Sequence, residues 1–221
     1  MKRIISLVSI VSLASCATSS ETGALVGGGG GAAAGAGVGA LAGGTKGAMI
    51  GALIGGVAGG VSGALVGRYM DEQKKRLDRD LKSGYVEKVG DKLVVHFNGG
   101  ILFDTDRASL KENAQKELAE FARILNEYND TKLRIIGYTD SEGAREHNLK
   151  LSDDRAASVT TYLAEAGVLR TRMISEGKGP AEPVASNATA EGRAKNRRVE
   201  IHIEADDDLR KADADKAAGR T

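Results

Sequence analysis

The chain has 221 residues, 30 of them glycine, with 4% aromatic residues and a formal charge of +1 at pH 7. That near-neutrality gives no electrostatic footing for nucleic-acid binding, and losing a leader that carries Lys2 and Arg3 would leave −1. Cys16 is the only cysteine, which excludes an intramolecular disulfide.

Residues 1–15 combine a basic start with an apolar run over 4–13, the anatomy of a secretory leader, and the run is too short to span a bilayer. Leu13-Ala14-Ser15-Cys16 resembles a bacterial lipobox, which implies a leader of 1–15 and lipidation of Cys16 as the first mature residue. That fate consumes a thiol that is otherwise a liability in an oxidising compartment; an ordinary cleaved leader is the other reading. By the same resemblance, Ala17 rather than Asp implies sorting to the outer membrane.

Residues 16–67 form a second segment. From 27 to 67 a glycine stands at every fourth position, interleaved with Ala, Val, Leu and Ile, and Lys46 is the one charge before Arg68. Small residues four apart share one helix face and let backbones approach closely, which is how helices associate in lipid. With a polar break at Gly43-Gly44-Thr45-Lys46, each arm of about 21 residues would be roughly 31 Å long if helical, near the thickness of a bilayer core. A glycine-rich helical hairpin follows, spanning, lying on or packing near a membrane, and its self-association into a homo-oligomer or pore is an alternative function for the chain. The competing reading is a flexible Gly/Ala linker. Residues 68–84 are charged, with Tyr69, Leu77 and Leu81 at loose helical spacing, and read as a polar connecting helix.

Residues 85–204 carry the globular pattern. Leu93, Val95 and Phe97 alternate with Val94 and His96, and a Gly99-Gly100 turn leads into another short strand at 101–103. Ser109 to Glu112 fits a capping box for a helix whose inner face is Leu110, Ala114, Leu118, Phe121 and Leu125. A strand at 133–138 follows. Ser152 is predicted to cap a second helix with Ala156, Val159, Leu163 and Ala166 inward and Gly167 at C′. Residues 173–176 read as a strand, and Val199, Ile201 and Ile203 alternate with polar residues in a last strand buried on one side. Residues 205–221, rich in Asp, Lys and Ala, read as a charged, flexible tail.

Gly137-Tyr138-Thr139-Asp140, Asn148, Leu151-Ser152, Arg155-Ala156, Gly177-Lys178-Gly179, Gly192-Arg193 and the run Asn196-Arg197-Arg198-Val199-Glu200-Ile201 resemble the OmpA-like C-terminal domain family. With the lipobox and glycine repeat in front, the architecture is similar to the YiaD-type outer-membrane lipoproteins. The resemblance implies an α+β fold, a two-layer βαβαβ-type sandwich with a mixed sheet and helices on one face. It also implies non-covalent peptidoglycan binding through the meso-diaminopimelate of the peptide stem, so that a lipid-anchored, periplasm-facing domain tethers the outer membrane to the wall.

The free end of diaminopimelate is a zwitterion, which needs one anion and one planar cation. By position the family's two gripping residues fall on Asp140 and Arg155. Arg155 is also expected at the third helical position after Ser152, where a cation opposes the helix dipole and so points to anion capture; the bland alternative pairs it with Asp153 and Asp154 at the surface. Asn148, Thr139 and Asp106 flank the expected pocket, equally readable as turn and cap residues. Arg197 and Arg198 suit a structural ion pair as well as a ligand contact and are left outside the site. His96, His147 and His202 lie far apart without metal spacing, and Gly177-Lys178-Gly179-Pro180 lacks the phosphate-loop pattern. No cofactor, metal or catalytic machinery is therefore expected.

Overall fold

The computed structural model describes residues 63–220. The leader, Cys16 and the glycine repeat up to residue 62 lie outside the described residues. The elements are α1 (Ala64–Asp80), β1 (Gly84–Val89), β2 (Lys92–Asn98), α2 (Gly99–Leu102), α3 (Glu112–Glu127), β3 (Thr131–Tyr138), α4 (Arg145–Glu165), β4 (Met173–Gly177), α5 (Ala190–Asn196), β5 (Arg198–Ala205) and α6 (Asp207–Ala217). The fold is α+β: one five-stranded sheet in the order β1-β2-β5-β3-β4, antiparallel except for the parallel pair β3 and β4.

The register explains the layers. Phe97, Val199, Gly137 and Gly177 form one cross-strand row; Val95, Ile201 and Ile135 form the next; Leu93, Ile203, Leu133 and Met173 form a third. Because side chains alternate along a strand, all three rows share one face, and the apolar stripes of α1, α3 and α4 close over it as a single core. The first row ends in two glycines for a reason. A Cβ on Gly137 would come within 2.1 Å of the Ser152 carbonyl oxygen, and one on Gly177 within 2.2 Å of the Asp153 nitrogen, so α4 lies directly on the strand backbones. Gly137→Ala must push that helix away. We expect it to lower the unfolding free energy by about 1–3 kcal/mol, read from the urea midpoint; a midpoint equal to the parent's would contradict this close packing.

Several expected boundaries are corrected. The predicted strand at 101–103 is replaced by α2, because the Asn98 side chain accepts from the Gly100 N–H (2.8 Å) and starts a helical turn; only Phe103 forms a bridge, to Leu110. That bridge keeps Leu110 extended, so α3 begins at Glu112 behind Lys111 and the capping box at Ser109 does not form. Ser152 lies inside α4, which starts at Arg145: its Oγ donates to the Leu149 carbonyl and accepts from the Gly179 N–H, so it clamps a loop and caps nothing. Gly167 takes the left-handed conformation (φ +96°) that the predicted C′ position requires.

Both ends of the domain extend further than the apolar pattern indicates. The connecting helix α1 forms, but Val66, Met70 and Leu77 are buried in the core. The tail read as flexible is the helix α6, capped by Asp206, which accepts from the Leu209 N–H at 2.8 Å. Polar contacts hold it in place of apolar area: Arg210 pairs with Asp91 (2.9 Å), Asp207 with Lys132 (2.6 Å), and buried Asp213 accepts the Leu65 N–H at 3.0 Å, where α1 begins. On β5 the second set of side chains is also covered, with Arg198 and Glu200 each 7% exposed. The strand is buried on both sides because its outer residues are paired with one another.

Candidate functional site

The site lies where β3 ends and β5 begins. Asp140 follows β3 and is 6% exposed. Its Oδ1 accepts the Glu142 N–H (3.0 Å), and its Oδ2 accepts from Arg197 Nη1 at 2.5 Å. Around it, Thr139 donates its N–H to the Gly179 carbonyl (2.8 Å) and its hydroxyl to the Asp140 carbonyl (2.9 Å), while Asn148 Nδ2 donates to the Glu142 carbonyl at 2.7 Å. Ser152, by holding the Gly179 N–H, locks the other side of the same loop. Thr139 and Asn148 thus build the frame that fixes Asp140.

Arg155 projects from the third turn of α4 and is 5% exposed. Its Nε donates to the Arg107 carbonyl (2.9 Å), its Nη2 to the Asp104 carbonyl (3.2 Å), and its guanidinium carbon stands 5.1 Å from the centre of the Phe103 ring. Nη1 makes no hydrogen bond among the described residues. Burial lowers the Arg155 pKa, and the nearby Arg197 charge adds to that, against the opposing pull of Asp106 and Asp140. Arg155 nevertheless keeps its charge, since guanidinium does not deprotonate in proteins.

The expectation that Arg155 sits at a helix N-terminus is overturned with that of the Ser152 cap, and the dipole argument falls with it. The surface alternative falls too: Asp154 pairs with Lys150 (2.8 Å), and Asp153 accepts from the Gly177 N–H (3.2 Å). Asp140 and Arg155 share one site without pairing directly, because Asp140 is held by Arg197. Asp106 stands at the mouth, within electrostatic reach of Arg155, with Oδ1 2.5 Å from His147 Nε2.

Sequence reasoning missed Arg197 by treating it with Arg198. Neighbours at the start of a strand point to opposite faces. Arg198 turns to the outer face, where it donates to Glu200 (2.7 Å) and to the Glu182 carbonyl (3.1 Å) and lies 3.7 Å from the centre of the Tyr138 ring. Arg197 turns to the site, and that alternation was the available signal. Two guanidinium groups and two carboxylates within electrostatic reach of one another are complementary in charge to a small zwitterion. Among the described residues, no group of three or more His, Cys, Asp or Glu is placed to hold a metal ion.

The mixed sheet carries helices on one face, and Asp140 and Arg197, where β3 ends and β5 begins, stand within electrostatic reach of Arg155 on α4. Residues 102–197 match the OmpA family model, and that part of the chain is an OmpA family domain; residues 1–71 match the YMGG-like Gly-zipper. The chain is 43% identical over 138 residues to the probable lipoprotein YiaD of Escherichia coli, an alignment covering 61% of this chain and 63% of that protein. It is 45% identical over 105 residues to the peptidoglycan-binding protein ArfA of Mycobacterium tuberculosis, covering 48% of this chain and 32% of that one. Among solved structures, the cell wall anchor of the type VI secretion system from Pseudomonas aeruginosa superposes with a TM-score of 0.52 at 32% identity, over 64% of this chain and 97% of that one. The chain thus spans less than two thirds of the curated relatives it matches.

Proposed function

We propose that this domain binds peptidoglycan non-covalently by gripping the diaminopimelate of the peptide stem, and that Cys16, lipidated, with the glycine-rich segment holds the chain to the outer membrane. The observation that carries the reading is the buried Asp140 carboxylate, paired with Arg197, beside an Arg155 whose Nη1 is left to spare. The ammonium of the ligand would be received by Asp140 and Asp106, and its carboxylate by Arg155. ArfA, similar over 105 residues, is by its name a peptidoglycan-binding protein, and the superposed structure is a cell wall anchor.

The domain's geometry suits a tether. The site stands at the start of β5, whereas α1 begins against Asp213 of α6, beyond the other end of that strand. Eight residues of β5 put roughly 23 Å between the two ends. The ligand end and the end from which the glycine segment departs are different poles. No catalytic step is needed for such an attachment, and we read the chain as a binding protein.

Because α1 is buried in the core and α6 is tied to it, the fragment to test is 63–220. It should co-sediment with diaminopimelate-type cell wall. Asp140→Ala and Arg155→Ala should each weaken binding by roughly thirtyfold or more, as expected when one partner of a buried charge cluster is truncated. Variants that stay folded and pellet as well as the parent would refute the site.

A further inference from the structure

The contact between His147 and Asp106 is unused by the reading above, and it lies at the mouth of the site. Asp106 is held from two sides. Its backbone takes the left-handed conformation (φ +57°), and the carbonyls that flank it, of Asp104 and Arg107, are both bound by Arg155. Its side chain is fixed by His147 Nε2 at 2.5 Å. His147 belongs to the first turn of α4, one residue before Asn148, so the imidazole bridges the helix that carries the site's frame and the loop that carries its outer acid.

We propose that His147 is a positioning residue that sets the charge Asp106 presents to the ligand, so that affinity for diaminopimelate falls as the medium acidifies. This rests on the reading that the site receives diaminopimelate. With a neutral imidazole, Nε2–H donates to Oδ1 of Asp106 and leaves Oδ2 for an incoming ammonium. An added proton makes the partner an imidazolium in direct contact with Asp106, and it competes with the ligand ammonium for the same carboxylate. Proton and ligand then oppose each other at one group, and each weakens the other by the same factor.

Histidine is the side chain whose ordinary titration falls between pH 5 and 8. The charged groups around the pair contain no second imidazole. On the elements that carry the pair they are Asp104, Arg107 and Lys111 in the 104–111 loop and Arg145, Glu146, Lys150 and Arg155 on α4, with Asp140, Glu142, Arg193 and Arg197 in the neighbouring ion pairs of the site. His96 and His202 stand on β2 and β5 in rows of the sheet's outer face. The two charges on the ligand's amino-acid end are both retained across this pH range.

The test is calorimetric titration of meso-diaminopimelate into the full chain in detergent at pH 7.5 and 5.5, with circular dichroism confirming the fold at both. The parent should bind roughly two- to fivefold more weakly at pH 5.5, the range expected of one exposed ion pair. His147→Gln keeps a neutral donor; it should bind as the parent does at pH 7.5 and show no change at 5.5. Asp106→Asn should bind weakly at both. A parent indifferent to pH, or a His147→Gln variant that keeps the pH dependence, overturns the role of His147 while leaving the diaminopimelate reading intact. A parent that binds at neither pH overturns that reading, and the role of His147 with it.

Discussion

Arg172→Ala should lower the unfolding free energy by about 3–5 kcal/mol, the range for stranding several buried polar groups at once. Arg172 stands in a single turn of 3-10 helix (Arg170–Arg172) just before β4. Its Nε donates to the Thr131 carbonyl (2.7 Å), Nη1 to the Leu125 carbonyl (3.0 Å), and Nη2 to the Tyr128 carbonyl (3.1 Å) and the Thr131 hydroxyl (2.8 Å). Leu125 and Tyr128 end α3, where the last carbonyls have no partner within the helix; Thr131 opens β3. One planar fork therefore closes the corner between α3 and β3. Burial lowers the Arg172 pKa, opposed by the surrounding Tyr69, Asp206 and Asp130, and carbonyl dipoles take the place of a directly paired carboxylate. Arg172→Lys should recover less than half of the loss, since one ammonium cannot reach three carbonyls arranged around a fork. For a domain of this size the alanine variant should melt about 10 °C lower. A loss under 1 kcal/mol in urea would show that water replaces the guanidinium freely.

Nothing in the sequence marks Arg172, and the reason applies to the other misses. Periodicity reports burial of apolar side chains: Ala114, Leu118, Phe121 and Leu125 on α3 and Val199, Ile201 and Ile203 on β5 were legible because the core needs them at those spacings. Arg172 acts through hydrogen bonds to residues more than forty positions away, and such partnerships leave no local pattern. The same is true of α6, tied to α1 by the hydrogen bond from the Leu65 N–H to Asp213. Ser152 misled in the opposite sense. A serine before an amphipathic run looks like a cap, yet its hydroxyl was wanted by Gly179, and α4 starts seven residues earlier. At the site, Asp140 and Arg155 came from the family motif, and the local argument offered for Arg155 failed. Arg197, fifty-seven positions from Asp140, and His147, forty-one from Asp106, became readable only once the chain was folded.

Acid should destabilise the domain steeply, from the outer face of the sheet. There His96 is 8% exposed, with Nδ1 3.6 Å and Nε2 3.7 Å from the carboxylates of Glu200 and Glu87, too far for hydrogen bonds. Tyr85 stacks on it with ring centres 4.4 Å apart. Burial lowers the His96 pKa from its ordinary 6.5 to about 4, Arg198 and His202 adding to the effect against the pull of Glu200. Burial alone would raise the Glu200 carboxyl, but the His202 hydrogen bond and Arg198 outweigh it and bring the pKa from 4.5 to about 2. Both folded values lie below the unfolded ones, so in each case the unfolded chain takes up the proton first. The His96 contribution is complete above pH 6.5 and lost as pH falls to 4; that of Glu200 is complete above 4.5 and lost as pH falls to 2. The first loss is worth about 3 kcal/mol between pH 7 and pH 4, and it is the one met in mildly acid media. Urea midpoints followed across that range should fall in the parent and stay nearly level in His96→Gln, which cannot gain the proton. An equally steep fall in the variant would place the acid sensitivity elsewhere. His147→Gln should leave this stability curve unchanged while removing the pH dependence of binding, because the two histidines act on opposite sides of the fold: one answers to the sheet's buried charges and the other to the ligand.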